Sequence, residues 1–282
     1  MKYTSIEKIC PDFSITKYQK LCLALLRYGY ATSTVASYLE TPEQEKNIMV
    51  IRHDVDRKPR HALLMAQVEH KFGIKSTYYF RFNRKVFRPG IIREIAELEH
   101  EIGYHYETLD KAMGDHKAAV DIFKQELDEF KKVADIKTIC MHGNPLTNWD
   151  NRDLWSRYDF HDFGLIGEAY LSFKDMTYLS DTGRTWGNKY KIKDKIYPAD
   201  CDAIHNNGRK NTYKSTDDII KLIETKQLSY GYLLVHPERW SNSLNSWVIS
   251  LATDTGVNLV KRLIQFRNRP VRQLTITKEN NS

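Results

Sequence analysis

Between residues 47 and 141, short apolar runs alternate with segments of helical period, and this alternation limits the fold more than any other feature. Ile48, Met49, Val50 and Ile51 make one unbroken run, which reads as a buried strand from Asn47 to His53. After Pro59 the apolar residues Leu64, Met65, Val68 and Phe72 recur along one side of a helix, with Gly73 as its stop. The segment from Lys75 to Phe82 is rich in β-formers and predicts a second strand. Pro89 and Gly90 introduce a helix over Ile91 to Glu99, followed by a third strand from Glu101 to Tyr106. An amphipathic helix over Lys117 to Val133 leads into a fourth strand, Ile136 to Met141. Strands this apolar, separated by helices, fit a parallel sheet covered on its outside, with right-handed connections.

The flanks are less regular. Tyr18, Leu21, Leu25 and Tyr28 predict a helix over 14–28, and Thr32 to Leu39 a second, shorter one. Residues 144–212 are rich in Asn, Asp, Gly and aromatics and read as long loops with short strands. A helix over Ser215 to Thr225, a strand over Tyr230 to Val235 and a helix over Leu244 to Arg267 complete the pattern. The domain reading is a helical extension over 1–45, one α/β unit over 46–270 and a tail over 271–282.

The chain has 282 residues and 41% hydrophobic content, enough for a substantial core. No apolar run approaches the roughly 20 residues of a membrane helix, and the first residues lack a secretory apolar segment, so a cytoplasmic protein is expected. Cys10, Cys22, Cys140 and Cys201 form no CxxC pair, which argues against a zinc ribbon or redox motif. The net charge is +7, but the cations are scattered among acids and no nucleic-acid motif accompanies them. A nucleic-acid partner is not expected; an anionic or nucleotide-linked substrate would use the same charge.

The reactive residues fall at strand ends. Asp54 and Asp56 are two apart and point to the same side of an extended chain. Two adjacent carboxylates repel unless a cation or a shared proton compensates them; the alternative is an Asp that caps the following helix. His105, His142 and His236 end the third, fourth and last strands. In a parallel barrel the carboxyl ends of all strands meet on one face, where active sites are built.

The run Arg52-His53-Asp54-Val55-Asp56 resembles the opening motif of the polysaccharide deacetylases, metal-dependent carbohydrate N-deacetylases. His100-Glu101-Ile102-Gly103-Tyr104-His105 is similar to that family's second motif, Cys140 to Pro145 lies where its third would be, Leu179-Ser180-Asp181 with Trp186 resembles the fourth, and Leu233-Leu234-Val235-His236 the fifth. Three positions depart from the pattern: Val55 separates the two acids, Leu109 stands where a second metal-binding histidine would be, and His142 occupies the region of an arginine. The resemblance implies a distorted (β/α) barrel of the glycoside hydrolase/deacetylase type with about seven parallel strands.

It also implies a reaction: hydrolysis of an N-acyl group, N-acetyl foremost, on an amino sugar of surface-polysaccharide synthesis, carried on a nucleotide or a lipid. A divalent ion, zinc by preference, would be held by Asp56, His105 and His142, with Glu107 and Asp110 as alternatives to His142. Asp54 would be the general base and His236 the general acid, and the roles of Asp54 and Asp56 are exchangeable. Arg81, Asp181 and Trp186 are candidates for substrate contact; the alternatives are an ion-paired Arg81, an Asp181 that closes a turn and a Trp186 in the core. Two rival readings are a degenerate carbohydrate-binding protein and a hydrolase of a non-sugar amide.

Overall fold

The computed structural model describes residues 10–41, 47–174, 176–187, 193–194 and 213–267; Cys201 and the 271–282 tail lie outside the described residues. The strands are β1 (Ala31–Ser33), β2 (Ile48–Val55), β3 (Thr77–Arg81), β4 (Glu101–Tyr106), β5 (Ile136–Met141), β6 (Gly167–Glu168), β7 (Thr177–Ser180) and β8 (Tyr230–Val235). The helices are α1 (Ile15–Arg27), α2 (Val35–Glu40), α3 (Pro59–Lys71), α4 (Pro89–Glu97), α5 (Thr108–Lys111), α6 (His116–Lys131), α7 (Thr216–Glu224) and α8 (Leu244–Arg267). Seven strands pair in parallel in the order β6-β5-β4-β3-β2-β8-β7 and curl into a half-barrel with helices around it. β1 adds to β2 beside this path. The α/β distorted barrel expected from the sequence is therefore the fold.

Local chemistry sets the element ends. Ser14 caps α1 by accepting from the Lys17 amide, and Ser215 with Asp218 forms a capping box on α7. Residues 32–39 are not one helix. Thr34 accepts from the Ser37 amide and starts α2 only at Val35, while Ala31–Ser33 are taken up by pairing with Ile48–Val50. β2 runs past His53 to Val55, because Asp54 pairs with Tyr79 and Val55 with Phe80 on β3. Asp54 thus lies within the strand and not in a cap.

Period two gives β2 two different faces. On the outer face Met49, Ile51, Leu233 and Val235 pack into a core shared with α1, α3 and α7, and His53 enters a fully buried polar cluster around Glu69. A second core holds Phe80, Tyr104, Phe123 and Phe130 beneath α6. Each such side chain contributes roughly 1.5–3 kcal/mol on burial. The inner face is polar. Register places Asp54 beside Tyr79, and His105 beside both Arg81 and Cys140. Gly103 is required here: a Cβ would lie 2.2 Å from the Tyr79 ring, which crosses β4 to reach the Thr138 hydroxyl at 2.7 Å. Among the described residues no helix is long and apolar enough to cross a membrane.

Candidate metal and catalytic site

Arg52 organises the interior of the half-barrel. Its guanidinium is fully buried, donates to the Tyr232 hydroxyl at 3.1 Å and the Ala169 carbonyl at 3.3 Å, and lies 4.0 Å over the Tyr170 ring. It also donates to Asp54 Oδ2 at 3.2 Å. A lone buried carboxylate would be costly, and this pairing gives Asp54 a counter-charge and fixes its direction. Asp54, Asp56, His105, His142 and His236 all line one cavity at the carboxyl ends of the strands. The convergence expected from their positions in the sequence is present.

His105 has a defined tautomer. His105 Nδ1 lies 3.0 Å from the Cys140 carbonyl, which can only accept, so Nδ1 carries the hydrogen and Nε2 faces the cavity. His142 Nδ1 faces Glu107 Oε2 at 3.1 Å and Nε2 again points inward. The two Nε2 atoms stand 3.3 Å and 3.6 Å from Asp56 Oδ1. That oxygen is buried and has no hydrogen-bond partner among the described residues. Donors bound at about 2.1 Å in a tetrahedral site lie roughly 3.4 Å from one another. A carboxylate or carbonyl on the far ring nitrogen is also the usual support of a metal-bound histidine. Asp56 Oδ1 thus lies between the two imidazoles, at distances comparable with those between ligands of one ion.

A second donor group shares His105. Asp54, His105 and Cys140 are buried, and one potential ligand atom from each lies within 4.8 Å of the others. This cluster could hold a metal ion. Burial and the nearby Asp54 and Glu168 charges raise the Cys140 thiol well above its usual range, against the lowering effect of Arg52.

The charges respond to one another. Burial opposes ionisation of Asp56, but His142, His105 and His236 outweigh it and hold the carboxyl well below the usual range. His236 Nδ1 donates to Asp181 Oδ1 at 2.6 Å, and its backbone amide to Asp181 Oδ2 at 3.0 Å. Burial and Arg239 lower the proton affinity of His236, yet Asp181 and Asp56 raise it above the ordinary histidine value. Glu107 is held down to about 2: burial opposes this, but His142 and Arg81 prevail.

None of Arg81, Asp181 and Trp186, the three expected substrate contacts, is among the residues that line the cavity. Asp181 is fully buried and occupied by His236, Arg239 and the Trp240 indole, which donates at 2.9 Å; it positions His236 and cannot reach a ligand. Arg81 donates to Glu107 at 2.6 Å, so it steadies the support of His142. Trp186 stacks on Phe13 in the core and donates to Thr216 at 3.0 Å. Glu107 likewise stands behind His142, and Asp110 holds the Thr147 hydroxyl at 2.6 Å and the Asn151 amide at 2.9 Å.

Other cavity residues were missed: Tyr170, Arg239, Lys261 and, close behind, Cys140. Cys140 joins them only through the register of β4 and β5, which pairs it with His105. Glu238 was also missed. Burial, then the Asp56 charge, pushes its carboxyl up to about 7, and neither oxygen finds a hydrogen-bond partner among the described residues. Comparison with family models and with curated proteins finds no match to this chain.

Proposed function

We propose that this chain is a metal-dependent hydrolase of the polysaccharide deacetylase type, removing an N-acetyl or similar N-acyl group from an amino sugar of cell-surface polysaccharide synthesis. The observation behind this reading is the meeting of two carboxylates and three inward-facing imidazoles in one cavity. Asp56, His105 and His142 would hold the ion, zinc by donor type. When bound, a divalent ion polarises the acyl oxygen and lowers the pKa of water. Asp54, fixed by Arg52, accepts the proton that water loses as it attacks the acyl carbon. His236, its Nδ1 tied to Asp181, gives the Nε2 proton to the amine nitrogen as the carbon–nitrogen bond breaks. The products are the free amine and a carboxylic acid.

A second assignment of roles is favoured by the tight Asp54–His105–Cys140 group. There Asp54, His105 and Cys140 would hold the ion and Asp56, with its unpartnered Oδ1, would be the base.

The test is metal analysis of the purified chain together with turnover of N-acetylated amino sugars against small non-sugar amides. A bound divalent ion, chelator-sensitive release of acetate from a sugar, and loss of turnover with retained metal in Asp54→Asn are expected. Absence of both tightly held metal and chelator-sensitive turnover would favour a carbohydrate-binding protein. Turnover of non-sugar amides alone would reassign the substrate.

A further inference from the structure

The catalytic cavity holds only about 70 Å³. That is far below the roughly 300 Å³ at the lower end of ligand pockets. It takes the reacting acyl group and water, so most of any sugar substrate lies outside it. A separate open groove of about 790 Å³ is lined by residues that follow β2 and β3 in the chain. Lys58, Arg60, Lys85 and Arg88 line it, with Glu94 as the one carboxylate among its lining residues. None of the four cations has an ion-pair partner among the described residues.

The cations stand where local electrostatics disfavours them. Lys58 and Arg88 occupy the cap positions of α3 and α4, and neither helix has a side-chain cap. The amino end of a helix carries partial positive charge and favours anions, so a cation there is repelled. Lys58 also adopts φ +52°, a left-handed conformation disfavoured for a lysine. Two helix ends without side-chain caps and four cations without ion-pair partners among the described residues line one groove, together with Pro59 and Pro89. An anion with two or more charges completes that arrangement; helix amides and arginine forks both match phosphate oxygens.

We propose that this groove seats the diphosphate of an activated sugar whose acylated ring lies over Asp56, a proposal that rests on the hydrolase reading above. Lys58 follows Asp56 by two residues, so their backbones are at most about 7 Å apart. A sugar ring and its first phosphate bridge such a span. The diphosphate could be esterified to a nucleoside or to an isoprenoid; both share the chemistry that the groove recognises.

The experiment is calorimetric titration of the full chain with inorganic pyrophosphate, uridine diphosphate and farnesyl diphosphate. Arg60 and Arg88 are exposed, so the double variant Arg60→Gln/Arg88→Gln should melt at the wild-type temperature. It is expected to bind all three probes at least tenfold more weakly. His105→Ala, stripped of catalytic metal, should bind them as wild type does. The tighter of the two esters then identifies the carrier. Unchanged affinity in the arginine double variant, or equal loss in His105→Ala, would overturn the proposal. Groove-dependent binding in a protein that hydrolyses no N-acyl sugar would leave the groove standing and sink the hydrolase reading alone.

Discussion

His236 Nδ1 and Asp181 Oδ1 are 2.6 Å apart, and Asp181 also accepts from the His236 backbone amide, Arg239 and Trp240. The carboxylate thus fixes the ring, leaves Nε2 toward the cavity and strengthens its hold on a proton. Asp181→Asn keeps the shape and removes the charge. Its expected effect is a roughly 10²-fold loss of kcat near neutrality. The sign of the pH effect follows from the direction of the shift. Asp181 raises the proton affinity of His236, so the variant loses the protonated acid at lower pH and the alkaline limb of kcat moves down. A full pH–rate profile checks this; an unmoved alkaline limb would remove His236 from the acid role.

The Arg52–Asp54 pair serves stability as well as orientation. Both side chains are almost wholly buried. Arg52→Met strands Asp54 without its counter-charge in the interior, which should cost about 3–5 kcal/mol in urea unfolding. Adding Asp54→Asn to that variant should recover part of the loss, because the uncompensated charge is gone. Additive effects of the two substitutions would contradict the pairing.

Much of this fold was legible because burial and period two act locally. β4, β5 and β8 fall where their apolar runs begin and end, and period two alone puts Asp54 and Asp56 on one side. What was not legible depended on partners distant in sequence. Nothing near Asp181 announces that His236, 55 positions on, will claim its oxygens. Trp186 has the composition of a sugar platform, yet Phe13 and Thr216 draw it into the core. The strand at Ala31–Ser33 exists only because β2 offers it an edge. Cys140 reads as an ordinary buried thiol until the register of β4 and β5 sets it beside His105.

The two donor sets can be separated by metal content. His105 belongs to both, so His105→Ala should lose the ion in either case. If Asp56, His105 and His142 are the ligands, His142→Ala should weaken metal affinity by tenfold or more. Glu107→Gln should act in the same direction through the lost support of His142. Cys140→Ser, close to isosteric, should retain the ion. We expect this pattern; loss of metal in Cys140→Ser with retention in His142→Ala would install the Asp54–His105–Cys140 site.

Glu69, on the opposite face of β2 from Asp54, should contribute to acid stability. This fully buried carboxylate accepts from Ser76 at 2.6 Å, Tyr78 at 2.6 Å and Tyr18, and faces His53 Nε2 at 2.8 Å. Burial alone would raise its proton affinity, but His53, His100 and Ser76 bring it down to about 2. An unfolded Glu titrates near 4.3. The folded value is the lower one, so the stabilisation is complete above about 4.3 and is lost as pH falls toward about 2. The difference corresponds to on the order of 3 kcal/mol. Glu69→Gln cannot titrate. It should be less stable than wild type at pH 7, and its stability should fall less steeply between about pH 5 and 2. Urea midpoints measured across that range decide the matter: parallel curves for the two proteins would mean that acid unfolding is driven by other carboxylates.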